Sequence, residues 1–201
     1  MTSSALTGNT SGLASATSPG LVGITTQTFA GKKTLDGGAL IKGDTSGVAI
    51  AAGYVGYRLY ATQTNNTTIT LTTSYQTIAG SIVLGDGIWQ VQYSAAAVCN
   101  PTAGVGNTVI TVCAIVDGAG AVRGESKSNL TYKNQSATET GFIMANITAP
   151  SFLLAITPST SVNDRTLFLK AYKDASSVGI GEIRSNVGSV GQTSLWANQI
   201  G

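Results

Sequence analysis

The sequence predicts an all-β protein: an antiparallel β-sandwich whose eight to ten strands fit a jelly roll. Three observations carry that prediction. The 201 residues include no histidine and only 10% charged residues, far below the roughly 25% of ordinary soluble chains. The apolar fraction is 42% and is rich in Val, Ile and Ala, and β-branched residues suit a pleated sheet. Short apolar runs recur with Gly, Asn, Asp or Pro between them, which is the punctuation of strands and turns. No amphipathic helix or heptad run interrupts them.

Three segments differ in character. Residues 1–20 are a Ser/Thr/Gly/Ala tract ending at Pro19-Gly20. Such a tract buries little surface against the entropy of fixing it, so it reads as a floppy terminus or as an attachment arm that orders on docking. Residues 21–52 scatter single apolar points (Ile24, Phe29, Leu35, Val48, Ile50) among turn signals. They predict a β-stem that cannot bury a core alone, whereas three copies wound round one axis could. Residues 53–201 carry the regular strand spacing of a knob domain. The leading residues MTSSALTGNTSG have neither a charged nor an apolar signal-peptide region, so the expectation is a chain made in the cytoplasm without the usual export signal.

Strands are expected at Tyr54 to Thr62, Thr67 to Thr73 and Tyr75 to Leu84. Gly85-Asp86-Gly87 then reads as a hairpin turn. The run from Ile88 alternates, with Trp89, Val91 and Tyr93 on the inward face and Gln90, Gln92 and Ser94 outward. Asn107 to Asp117 is apolar on both faces, so both must be covered. One face has Val109, Cys113 and Ile115; the other has Ile110, Val112 and Val116, a candidate contact between subunits. Further strands are expected at Glu139 to Thr148, Ser151 to Thr157, Thr166 to Lys173, Val178 to Arg184 and Thr193 to Ile200. Pro101, Pro150 and Pro158 are placed between strands.

The phrase TTQTFAGKKTLDGGALIKGD resembles the stem phrases of bacteriophage fibre proteins. Val55-Gly56, the Thr-rich stretch Thr67 to Thr73, Ser81-Ile82, Leu84, Gly87, Trp89 and Val91 resemble the start of a phage fibre knob, and SLWANQIG resembles its closing strand. The resemblance implies a homotrimeric virion fibre with a jelly-roll knob broadly like the C1q and tumour-necrosis-factor heads. Its arm would bind phage capsid or tail proteins. Its location would be the phage virion, and its role host-surface attachment, to a glycan or a protein, or capsid decoration. The alternative is a stand-alone carbohydrate-binding β-sandwich module.

Composition also excludes functions. Eleven basic and nine acidic residues give a net charge of +2, with no basic cluster of the kind nucleic acid needs. No apolar run reaches the roughly 18 residues of a membrane-spanning helix. No cofactor is implied. Cys99 and Cys113 read as two buried free thiols, and without His or a Cys-x-x-Cys pair they make no metal site. The absence of His rules out Ser-His-Asp chemistry within the chain. Most of the nine acids sit at expected turns, so no catalytic pair of carboxylates stands out. Two candidate sites remain. Tyr132, Lys133 and Asn134 lie in an expected loop and could stack on and hydrogen-bond a sugar. Glu182 and Arg184 share a strand face with Ile180, either as an exposed ion pair or as a pair between subunits.

Overall fold

The computed structural model describes residues 56–185 and 191–201; the arm expected over 1–20 and the stem over 21–52 lie outside them. The described residues form an antiparallel, all-β, jelly-roll-like sandwich. Its elements are β1 (Arg58–Thr62), β2 (Thr67–Thr70), β3 (Gln76–Val83), β4 (Gly87–Pro101), β5 (Thr108–Asp117), β6 (Ser128–Lys133), β7 (Ile143–Thr148), β8 (Phe152–Ile156), the one-turn helix α1 (Val162–Arg165), β9 (Thr166–Lys173), β10 (Gly179–Ser185) and β11 (Ser194–Gln199). No helix among the described residues is long and apolar enough to cross a membrane.

The smaller sheet runs β3-β9-β5-β6. The larger is organised on β4, whose 15 residues are paired along both sides. One side takes β11 and then β10; the other takes β8 and then β7. β1 extends the sheet beyond β11, and β2 beyond β10. Thr193 fills the junction between β10 and β11. Its buried hydroxyl accepts from the Ala96 amide at 3.0 Å and donates to the Arg184 carbonyl at 2.9 Å, satisfying ladder groups that neither strand reaches.

The core lies between the sheets. Alternation delivers Trp89, Val91 and Tyr93 to it as the sequence predicts, facing Ile115, Leu167 and Leu169. The polar tips of the aromatics are satisfied there. The Trp89 indole donates to the Gly85 carbonyl at 2.8 Å, and the Tyr93 hydroxyl donates to the carbonyls of Ser126 at 2.9 Å and Cys113 at 3.2 Å.

Four expectations are corrected. Gly85-Asp86-Gly87 does not close a hairpin: β3 pairs with β9 and β4 with β11 and β8, so the turn carries the chain from one sheet to the other. Gly87 has a φ of 132°, and a Cβ there would stand 2.5 Å from the Gly201 carbonyl oxygen, which explains the glycine. The strand from Ile88 does not stop short of Pro101 but runs to it, because Ala95, Ala96 and Ala97 are buried and packing overrides the weak strand preference of Ala. Residues 128–133 form an edge strand rather than a loop. The strand expected from Glu139 begins at Ile143.

Candidate interaction surface

Side chains alternate across a strand, so the register fixes the outer face of the larger sheet. Tyr60, Trp196 and Gln92 form one row across β1, β11 and β4; Arg58, Asn198, Gln90 and Leu153 form the next, reaching β8. Ile88 and Ile200 follow. Tyr60 is 71% exposed and Leu153 64%, and Ile88, Ile180 and Ile200 are also exposed. Arg58 stacks over the Trp196 ring, 5.6 Å from its centroid. Arg58, Tyr60, Thr62, Gln192, Ser194 and Trp196 line a shallow recess of about 310 Å³. Elsewhere the face carries amides, hydroxyls and small apolar groups, and among the described residues its charges are Arg58, Glu182 and Arg184 alone. The composition matches the centre of a protein interface, depleted in charge and enriched in Tyr, Trp and Arg.

Glu182 and Arg184 project from β10 on this same face, as their spacing predicts. Arg184 donates from Nε at 3.0 Å and Nη2 at 2.8 Å to Oε2 of Glu182. Both side chains are partly buried.

The outer face of the smaller sheet is different. Val112 and Val116 are buried and Ile110 half-buried within the single chain, so the strand with two apolar faces needs no second subunit to cover it. The reason is visible in its neighbours. Val112, Ala114 and Val116 lie beside Tyr172, Lys170 and Phe168 of β9. Lys170 lies over Phe168, Lys127 over Tyr172, and Tyr75 packs edge-on against Tyr172. Long side chains lie along apolar surface while their charged ends stay wet. Val122 adds a bridge to Val116.

Tyr132, Lys133 and Asn134 do not lie together in a loop. Tyr132 and Lys133 belong to β6, and their side chains point to opposite faces. Asn134 is buried, its amide donating to the carbonyls of Glu139 at 2.9 Å, Ser136 at 3.1 Å and Thr102 at 3.3 Å. It ties the loop together.

Cys99 and Cys113 are free and buried. Burial pushes both thiols up, furthest for Cys113, which keeps them protonated and unreactive. Four further carboxylates are engaged structurally. Asp117, Arg123 and Asp164 form a charge cluster in which Arg123 Nη2 lies 2.5 Å from Asp117 Oδ2 and also contacts Asp164. Burial alone would raise the Asp117 carboxyl. The amides of Ala121 and Ala119 and the Arg123 guanidinium outweigh it and hold the group below the usual carboxylate range. Asp86 pairs with Arg165, and Asp174 accepts from the amide and hydroxyl of Ser176. The chain carries no catalytic motif, and no group of three or more His, Cys, Asp or Glu able to hold a metal occurs among the described residues.

The sequence reading missed Tyr60, Ile88, Leu153 and Trp196. The signal was present: each is a large apolar residue out of phase with the core positions of its own strand.

No protein-family model and no curated protein matches the chain. Solved structures that match include several of infectious bursal disease virus. The Gx strain structure is 14% identical with a TM-score of 0.27, over 71% of this chain and 29% of that one. The VP2 subviral particle is 11% identical with a TM-score of 0.29, over 80% and 41%. A T13 viral particle is 10% identical with a TM-score of 0.27, over 81% and 40%. The chain thus spans less than half the length of these proteins. These structures are of infectious bursal disease virus rather than of bacteriophage fibres, which overturns the resemblance drawn from the sequence. With it go the phage capsid or tail as partners, the phage virion as location and host adsorption as function. At these scores the likeness assigns this chain no function of its own.

Proposed function

We propose that this protein is a non-catalytic structural subunit that assembles with copies of itself through the outer face of its larger sheet. The observation that carries the reading is the pairing of exposed Tyr60, Ile88 and Leu153 with a face holding so few charges. A face four strands wide along a 15-residue strand measures about 50 Å by about 19 Å, on the order of 900 Å². That meets the roughly 800 Å² per partner of a stable interface. Because the face is mostly neutral, a second copy meets it without opposing like charges, except where charged groups align. Trp196, stacked under Arg58, supplies a rigid anchor of the kind that dominates binding energy.

The finer reading is a homotrimer, with the sandwich as a C1q- or tumour-necrosis-factor-like head and the segment 21–52 as a β-stem. The jelly-roll head is supported by the two antiparallel sheets, β1-β11-β4-β10-β2 with β8 and β7 along the other side of β4, and β3-β9-β5-β6; the threefold stem is supported by the sparse apolar content of the sequence over 21–52. Sedimentation equilibrium of the full chain tests it. The expected mass is three times the 20.3 kDa chain; a monomer at tens of micromolar overturns the assembly reading, and a stable dimer overturns the trimer alone.

A further inference from the structure

We infer that Glu182 and Arg184 set the register between copies by forming ion pairs with the neighbouring subunit's Arg184 and Glu182 around the assembly axis. This rests on the assembly reading above. Within one chain, both hydrogen bonds of the pair end on Oε2 of Glu182. Among the described residues, Oε1 of Glu182 and Nη1 of Arg184 take part in no hydrogen bond. Each copy therefore presents one spare anionic acceptor and one spare cationic donor on the same face.

The surroundings make the pair an isolated charged mark. Glu182 sits between Thr70 and Val98, and Arg184 between Thr68 and Ala96. A neighbour that closes over this region in another register meets the charges with methyl groups or hydroxyls. Drying an incompletely paired charge is costly, and like charges brought together repel. In the matched register, pairs from successive copies alternate in sign, so each carboxylate lies between two guanidinium groups. The pair thus contributes selection of one arrangement more than strength.

The experiment uses the full-length chain. Glu182→Arg leaves two cations at the position and Arg184→Glu leaves two anions. Circular dichroism first establishes that each variant folds; native mass spectrometry and sedimentation then report assembly. Wild type is expected to be oligomeric, and each charge variant alone to associate at least tenfold more weakly. An equimolar mixture of the two is expected to recover mixed oligomers containing both chains. If wild type is itself monomeric, the assembly reading fails. If wild type assembles and both variants assemble equally well, the register inference fails while the assembly stands. If mixing restores nothing, the pair acts only within its own chain, and the inference is again overturned. Should a charge variant not fold, the neutral double variant Glu182→Gln/Arg184→Gln decides. Wild-type association is expected to weaken as salt rises from 50 to 500 mM, and that of the neutral variant to change less than twofold; equal salt dependence overturns the inference.

Discussion

The outer faces of the two sheets solve the same problem in opposite ways. Both carry apolar side chains that the core does not use. On the smaller sheet, Lys170 and Lys127 lie over aromatic rings of β9, and Val112, Ala114 and Val116 beneath that layer are buried. On the larger sheet few long charged side chains cross the surface, and Tyr60, Ile88 and Leu153 stay open. Apolar content along a strand therefore does not locate an interface. What locates it is apolar content without local cover.

The two faces differ most in what a charge does at Val116. Because this residue is buried by its own chain, Val116→Asp places an unpaired charge in the protein interior. It is expected to cost more than about 4 kcal/mol, read as loss of the folded baseline in urea titration. A folded variant that merely fails to assemble would instead make β5 an interface strand.

Next in size is Arg123→Ala, which strips the cation from buried Asp117. A loss of about 3 kcal/mol is expected in chemical denaturation. The pH dependence has a definite sign. The folded-state pKa of Asp117 is lowered, so its contribution is complete above the ordinary carboxylate range and disappears as pH falls through the lowered value. Wild type should lose stability on acidification over that window, and Asp117→Asn should show a shallower loss across the same titration.

Tyr93→Phe probes the core beneath both faces. Two buried carbonyls lose their shared donor, and about 1–3 kcal/mol should follow, measured by thermal melting combined with calorimetry. Leu153→Asp has the smallest effect on folding, within about 0.5 kcal/mol because the site is exposed. It should nevertheless lower the assembled mass in sedimentation. If assembly is unchanged, the interface does not reach β8.

Alternation made much of the fold legible. The inward set Trp89, Val91 and Tyr93 was readable because period two assigns faces without knowledge of the partner, and β9 lies within the very span expected, Thr166 to Lys173. Partners were not readable, because they are distant in sequence. Trp89 pairs with Gln199 on one side and Leu154 on the other, and nothing near Trp89 encodes either. For the same reason Asp86-Gly87 looks identical whether it closes a hairpin or crosses between sheets. Strand β6, SNLTYK, escaped because Leu130 is its single aliphatic residue; it is extended by pairing with β5 rather than by its own preference, and Lys133 is typical of an edge. Of the candidate sites, Glu182 and Arg184 lie together as their spacing requires, whereas Asn134 turned out to be a loop fastener whose three carbonyl partners no spacing rule reveals.

One feature of the larger sheet reaches beyond architecture. Four strands hang on β4, end to end in two lines, and β1 and β2 hang on those in turn. No neighbour on either flank can stay zipped if that central rod melts, whereas β8 or β1 can fray while it persists. Deuterium should therefore enter the amides of 89–99 last, and a chain cut within that stretch should lose the larger sheet as a unit, while a nick between β7 and β8 should leave most of the molecule standing.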